Sequence, residues 1–295
     1  MSKGILGGAI AGAVAAIFVT GLSVLTLSND RSVDGHAAID VVTDRVGESR
    51  ILRCGYVTYA PGLMLDPNTG EISGIAAEVV EGIAANLGWT VDWVEQAGWD
   101  SMIEGLRTNR YDMVCSAIYE NTVRARLVDF SSPMFYGGIS VFARDDDPRF
   151  DGDLSRVNAP DVTISTIDGE ISDILARSQF PNARTVSLPQ LSDVSQMLLL
   201  VQEDRADVTL VEQYAARDYL RNNPGAVRNV SGNQPIQVFP NVLLLPADNP
   251  GLKRIINAGI AELHNSGEME RIVLRYAGAD SGYFLVERPY RPISQ

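Results

Sequence analysis

Hydrophobic and polar positions along the chain change their spacing at regular intervals. Short apolar runs, such as residues 52–57, alternate with stretches like residues 74–87, in which apolar side chains recur at every third or fourth position. The first pattern is typical of a buried strand and the second of an amphipathic helix. Strands that alternate with helices predict parallel β-sheets covered on both faces, and therefore an α/β fold.

The alternation occurs in two successive runs, separated by an acidic and turn-rich stretch. This arrangement predicts two α/β lobes, with residues 37–140 plus 242–295 in lobe 1 and residues 141–241 in lobe 2. The chain then crosses between the lobes twice, at residues 139–143 and 236–242. Because open α/β sheets bind ligands at the carboxyl ends of their strands, two facing lobes predict a ligand cleft that closes by hinge motion.

The second crossing contains Pro240 between two apolar runs, residues 236–239 and 242–245. Proline lacks the backbone N–H that a strand inside a sheet donates. We therefore expect two short strands here, one on each side of the proline.

The N-terminal region carries a long uncharged segment, residues 4–27, with Lys3 before it and Asp30 after it. A helix of this length reaches roughly 36 Å, enough to cross a hydrocarbon core of about 30 Å. The positive end stays in the cytoplasm, so the rest of the chain is predicted to be exported. We expect residues 1–36 to form a signal anchor and linker that hold the protein on the periplasmic side of the inner membrane. Release after signal cleavage is the alternative.

The formal net charge of −13 argues against a nucleic-acid partner, because phosphate binding needs a basic face. No cysteine or histidine spacing matches a zinc site, and no nucleotide-binding glycine loop joins a strand to a helix. We therefore expect no cofactor and no metal. Cys54 and Cys115 lie in separate strand-like runs, which favours two buried thiols on one sheet. Export leaves a disulfide between them as the alternative.

Several short motifs follow one another in a specific order and spacing. They are Ile51-Leu52-Arg53-Cys54-Gly55-Tyr56, Gly70 and Gly74 before a helix ending Asn86-Leu87-Gly88, Trp99-Asp100, Tyr111-Asp112, Arg124 before Asp129-Phe130-Ser131 and Pro133, and Arg205-Ala206-Asp207 before Glu212. Each motif alone is weak evidence. Together they resemble the family 3 extracellular solute-binding proteins, the periplasmic amino-acid receptors of ABC transporters, over residues 46–278.

This resemblance implies a two-lobed, type II periplasmic-binding-protein fold and a protein that is not an enzyme. The implied ligand is an amino acid or similar small polar molecule, captured between the lobes for import by an ABC permease in the inner membrane. A membrane-tethered sensor module is one alternative. A cyclohexadienyl-dehydratase-like enzyme on the same fold is another, since Glu170 or Glu212 could act as an acid or base.

The same resemblance assigns ligand contacts to eight positions. Arg124 is implied to hold the α-carboxylate of the ligand, because a guanidinium offers two parallel N–H donors to a carboxylate. Tyr59 and Trp99 are implied to form aromatic walls against an ammonium or apolar side chain. Ala117 is implied to offer its backbone carbonyl to the ligand amine, and Tyr119 its hydroxyl.

Three further positions complete the implied site. Glu212 is implied to pair with the α-ammonium, and Gly169 and Glu170 begin a helix whose N-terminal backbone N–H groups can receive a carboxylate. Two glutamates opposite Arg124 disfavour an anionic ligand, so we expect a neutral polar or cationic amino acid. This expectation requires Glu170 to face the cleft and not merely to cap the helix outside it.

Overall fold

The computed structural model describes residues 40–232 and 234–287. The hydrophobic segment predicted at residues 4–27 lies outside the described residues, as does the linker that follows it. Within the described part, none of the helices combines the length and the hydrophobicity that crossing a membrane requires.

Helices and strands alternate along the described chain. The α-helices are α1 Val41–Ser49, α2 Ile75–Asn86, α3 Met102–Arg107, α4 Ile171–Gln179, α5 Val194–Gln202, α6 Gln213–Asn222, α7 Pro250–Ser266 and α8 Glu268–Ala277. The strands are β1 Ile51–Tyr56, β2 Met64–Leu65, β3 Ile72–Ser73, β4 Thr90–Gln96, β5 Met113–Tyr119, β6 Val128–Phe130, β7 Phe135–Arg144, β8 Thr163–Ile167, β9 Arg184–Leu188, β10 Val208–Glu212, β11 Val227–Asn229, β12 Gln237–Pro246 and β13 Tyr283–Phe284. Short 3-10 helices lie at Arg124–Arg126, Pro148–Phe150 and Leu154–Asn158.

Local sequence signals fix several helix ends. Glu170 and Asp193 precede α4 and α5, and their carboxylates accept the backbone N–H groups of Ser172 and Ser195. These bonds satisfy donors that a helix start leaves free. Gly267 follows the last residue of α7, and its φ of 77° is a left-handed conformation that glycine adopts without strain.

The described strands, apart from the β2–β3 hairpin, join in one sheet, whose main path runs β4-β1-β5-β12-β7-β10-β8-β9. The three strands at each end of this path run parallel to one another. The two long strands β7 and β12 pair antiparallel in the middle. The predicted parallel strands are therefore present at both ends, but at the centre these two antiparallel strands join the parallel groups into a single mixed sheet.

Pro240 does not divide the second crossing, and the prediction of two short strands is wrong. β12 continues through it, with Pro240 opposite Tyr136 of β7. On the other side, the Pro240 carbonyl accepts the backbone N–H of Glu120, just beyond the end of β5. Pairing between β12 and β5 begins only at Asn241. Pro240 therefore lies just outside the paired region, where a strand tolerates a residue without a backbone N–H.

The two cysteines form a disulfide, and the favoured prediction of two buried thiols is wrong. β1 and β5 are neighbours, with Cys54 opposite Met113. Cys115 follows two positions later, and so it points to the same face of the sheet as Cys54. The Cα atoms of the two cysteines are 5.5 Å apart, within the usual range for a disulfide.

Helices bury their apolar sides against this sheet at both ends. Ile83 of α2 and Ile256 of α7 pack in one core with Leu243 of β12, while Leu175 of α4 packs in another core with Ile164 of β8. β7 and β12 overlap the two predicted crossings. The predicted lobe boundaries stay a prediction.

Candidate functional site

One face of the central strands forms the floor of a pocket. Asn241 of β12 lies opposite Tyr119 of β5 on one side and Phe135 of β7 on the other. Glu212, the last residue of β10, lies opposite Ile139 of β7. Residues opposite each other share a sheet face, as do residues two apart along one strand. The register therefore brings polar side chains from β5, β12 and β10 to the same face.

Gly137 of β7 leaves the space in which these polar groups meet. A β-carbon at this position would stand 2.8 Å from Oε1 of Glu212 and 3.1 Å from Nδ2 of Asn241, and it would overlap the hydroxyl of Tyr119. The missing side chain thus lets groups from three strands converge over β7.

Glu212 is the negative centre of this floor and is only 3% exposed. The hydroxyl of Tyr119 donates to Oε1, and the hydroxyl of Tyr283 donates to Oε2 at 2.6 Å. Burial raises the pKa of Glu212 to about 7, against the lowering effect of the two tyrosine hydrogen bonds, and the charge of Glu170 adds to the rise. A cation placed beside this carboxyl would favour its ionised form.

Glu170 both caps α4 and lines the pocket. Its carboxylate accepts the backbone N–H of Ser172 at 2.7 Å and the hydroxyl of the same residue. Burial raises the pKa of Glu170, while the hydrogen bonds from Ser172 and the positive charge of Arg124 lower it. The helix cap therefore does not take Glu170 out of the pocket, and its charge acts on whatever ligand binds there.

Arg124 supplies the positive charge of the pocket. It follows β5 in a 3-10 helix and is 4% exposed. Its guanidinium donates to the carbonyls of Tyr119 at 3.0 Å and Gly169 at 2.9 Å, and it forms no ion pair with the residues that the structure describes. Burial lowers the pKa of Arg124 to about 10, so it remains charged at neutral pH. A guanidinium has five donors, and the two carbonyls leave donors for a ligand carboxylate.

Two aromatic rings cover the charged groups. Trp99 and Tyr59 meet edge to face, with ring centroids 6.0 Å apart, and the Arg124 guanidinium lies 5.9 Å from the Trp99 ring. Burial raises the pKa of Tyr59 well above its ordinary value, and the charge of Glu212 raises it further. Tyr59 is therefore a neutral wall with an apolar body and a polar tip.

These groups border one pocket. It brings together seven of the eight predicted contact residues, namely Tyr59, Trp99, Ala117, Tyr119, Arg124, Glu170 and Glu212. Gly169 does not line it. The carbonyl of Gly169 accepts from Arg124, and its N–H donates to the Asp173 carboxylate at 3.4 Å, so the backbone predicted to receive a ligand already has partners.

Comparison with known families assigns the chain. Residues 52–279, well over half of its length, match the model of the bacterial extracellular solute-binding proteins, family 3. The chain belongs to this family. The family resemblance inferred from the ordered motifs is thereby confirmed.

Two binding proteins, one of an amino-acid ABC transporter and one for L-cystine, are similar to this chain along most of their length. A probable amino-acid ABC transporter-binding protein of Haemophilus influenzae is 23% identical over 81% of this chain and 89% of its own length. The L-cystine-binding protein TcyJ of Escherichia coli K12 is 22% identical over 92% of this chain and 96% of its own. These two proteins therefore align across both runs of strands and helices.

Solved structures share the fold. The ancestral amino-acid-binding protein AncCDT-1, described as a precursor of cyclohexadienyl dehydratase, superposes with a TM-score of 0.69, at 23% identity, over 79% of this chain and 97% of its own. The predicted two-lobed, type II periplasmic-binding fold is confirmed at the level of the family. Proteins of this family act outside the cytoplasm.

Five lining residues of this family 3 pocket are not among the predicted contacts, namely Gly62, Phe135, Ile171, Asn241 and Tyr283. Phe135, Asn241 and Tyr283 of these lie on strands. Nδ2 of Asn241 is buried and has no hydrogen-bond partner in the described part of the chain. No motif marks Phe135, Asn241 or Tyr283, because only the strand register turns them toward the site. The apolar runs along β7 and β12 were the one sequence signal near Phe135 and Asn241, and such a run does not distinguish a pocket residue from a core residue. Tyr283, on β13, had no such signal.

Proposed function

We propose that this protein binds a neutral polar or cationic amino acid and delivers it to an ABC permease. The observation that carries the proposal is the buried guanidinium of Arg124, which is hydrogen-bonded to two carbonyls but to no carboxylate in the described residues, in the same pocket as Glu212. A buried charge that no ion pair compensates is costly. A ligand carboxylate on Arg124 and a ligand ammonium on Glu212 would compensate both charges at once.

The balance of charges supports the ligand class. Two buried carboxyls, Glu170 and Glu212, share the pocket with one guanidinium. An acidic side chain on the ligand would add a third carboxylate near them, which like-charge repulsion disfavours. The unpaired Nδ2 of Asn241 offers an additional donor for a polar ligand atom. The names of relatives, which include cystine- and arginine-binding proteins, support the same class.

We propose that the pocket lies between two lobes, residues 37–140 plus 242–295 and residues 141–241, joined through β7 and β12. Ligand contacts from both lobes would then favour the closed form. Arg124 already bonds the carbonyl of Gly169 across this boundary. Residues 4–27 would hold the protein at the periplasmic side of the inner membrane, close to its permease, or would direct its export before cleavage.

Thermal unfolding of the full-length chain against a panel of amino acids tests the ligand class. A ligand at about 100 times its dissociation constant adds about 2.7 kcal/mol of stability, a shift of a few degrees for a domain of this size. Arg124→Lys should weaken binding about a hundredfold, because lysine keeps the charge but loses the paired donors. The matched control Arg126→Lys, at an exposed position two residues away, should bind like the wild type.

Two outcomes contradict the proposal. No stabilisation by any amino acid would overturn the ligand class, and equal affinity in Arg124→Lys would overturn the carboxylate contact. Mass spectrometry of ligand recovered from the protein should show an unchanged mass. A dehydrated product would instead support the dehydratase alternative.

A further inference from the structure

The chain continues past the region that matches the family and returns to the pocket. The family match ends at residue 279, yet β13 follows and pairs antiparallel with β7, Tyr283 opposite Gly137 and Phe284 opposite Tyr136. β10 occupies the same edge of β7 but ends with Glu212 opposite Ile139, which leaves the rest of that edge free for β13. β13 therefore continues the line of β10 along the same edge.

This register aims Tyr283 at the pocket. Ile139 and Gly137 are two residues apart, so Glu212 and Tyr283, which lie opposite them, point to the same face. The hydroxyl of Tyr283 donates to Oε2 of Glu212 at 2.6 Å. Its ring centroid lies 4.9 Å from that of Phe135, another pocket residue.

Further contacts fasten the segment in front of β13. Arg217 of α6 donates to the carbonyls of Ala277 at 2.8 Å and Asp280 at 3.0 Å. The ring of Tyr214, also on α6, stacks against Tyr283 at 6.3 Å. The segment is thus in contact with α6 as well as with β7. A loosely packed tail would not make this many contacts.

We propose that Tyr283 of β13 forms part of the wall of the ligand pocket, and that it is a positioning residue that holds the Glu212 carboxylate toward the ammonium group of the ligand. The inference rests on the proposed function. It adds a specificity element from outside the region that matches the family.

Removing the Tyr283 hydroxyl is expected to raise the pKa of Glu212. Titratable or charged groups facing Glu212 within the pocket are Tyr59, Tyr119, Tyr283, Glu170 and Arg124. The hydrogen bond from Tyr283 lowers the pKa of Glu212 against the effect of burial. Without it, the carboxyl ionises at higher pH, and a ligand ammonium finds its partner neutral over a wider range.

Tyr283→Phe in the full-length chain tests this role. The matched control is Tyr276→Phe, which removes a hydroxyl that donates to Glu78 at 3.0 Å, away from the pocket. Isothermal titration calorimetry from pH 5.5 to 8.5, with the amino acid that best stabilises the wild type, gives the dissociation constant of each chain. We expect Tyr283→Phe to weaken binding about tenfold at pH 7 and to move the inflection in the plot of dissociation constant against pH to higher pH. Tyr276→Phe should match the wild type.

Carbon-13 NMR of the glutamate side-chain carboxyls provides a reading that needs no ligand. The Glu212 resonance, assigned by its loss in Glu212→Gln, should titrate at higher pH in Tyr283→Phe than in Tyr276→Phe. Equal Glu212 titration in both variants overturns the positioning role. If the wild type binds no amino acid while the Glu212 titration still differs between the two variants, the proposed function fails, and what stands is the control of the Glu212 charge by Tyr283.

Discussion

Replacing Glu212 with glutamine is expected to remove a pH-dependent loss of stability. The carboxyl is 3% exposed, and burial raises its pKa from the ordinary 4.5 to about 7. Because the folded-state pKa lies above that of the unfolded chain, the folded state binds more protons between these two values. The stabilising contribution of Glu212 is therefore present in full below pH 4.5 and is lost as the pH rises through about 7.

The size of this effect follows from the interval between the two pKa values. At about 1.4 kcal/mol per pH unit, the rise from 4.5 to about 7 corresponds to about 3 kcal/mol. Most of this, about 2–3 kcal/mol, is lost between pH 5 and pH 8. Glutamine keeps the shape of the side chain and can still bond both tyrosine hydroxyls, but it does not titrate. The free energy of unfolding of Glu212→Gln should therefore lack this fall.

Urea denaturation of the ligand-free, full-length chain at pH 5 and pH 8 measures the difference. Glu78→Gln is the control, because Glu78 also accepts a tyrosine hydroxyl, from Tyr276, but lies at the surface of α2. This control should keep the fall seen in the wild type. If the wild type and Glu212→Gln change equally between the two pH values, the reasoning that burial in the pocket controls the Glu212 charge is refuted.

Gly137→Ala should lower the thermal midpoint, because its β-carbon would stand 2.8 Å from Oε1 of Glu212 and overpacking costs about 1–3 kcal/mol. Calorimetry should also show weaker amino-acid binding, whereas Gly82→Ala, which meets open space on α2, should leave binding unchanged; equal affinity in both variants would contradict the role of Gly137. Replacing Cys54 and Cys115 together with alanine removes a cross-link between residues 61 apart and should cost about 4 kcal/mol of unfolding free energy. The urea midpoint of this double variant is compared with that of the wild type under oxidising and non-oxidising conditions. Equal midpoints of the two proteins in both conditions would contradict that estimate.

Local pattern was enough to predict most of the fold. The helix predicted to begin at Gly169 and Glu170 is α4, which starts at Ile171 with Glu170 as its cap, and α2, predicted at residues 74–87, differs by one residue at each end. The signals for these helices, periodic apolar positions and capping residues, lie within a few residues of each other along the chain, so they can be read from the sequence. Pro240 shows the limit of such reasoning, since its tolerance depends on which side of β12 has a partner at that point.

The sequence by itself determined the order of strands and helices, the family, and the residue types that line the site. Arg124 and Glu212 could be chosen because their motifs are local. Only the tertiary structure decided that Asn241 and Tyr283 face the same pocket, that Gly169 does not, and that Cys54 meets Cys115. Those outcomes depend on strand register, which pairs residues far apart along the chain and which a shift of one residue would reverse.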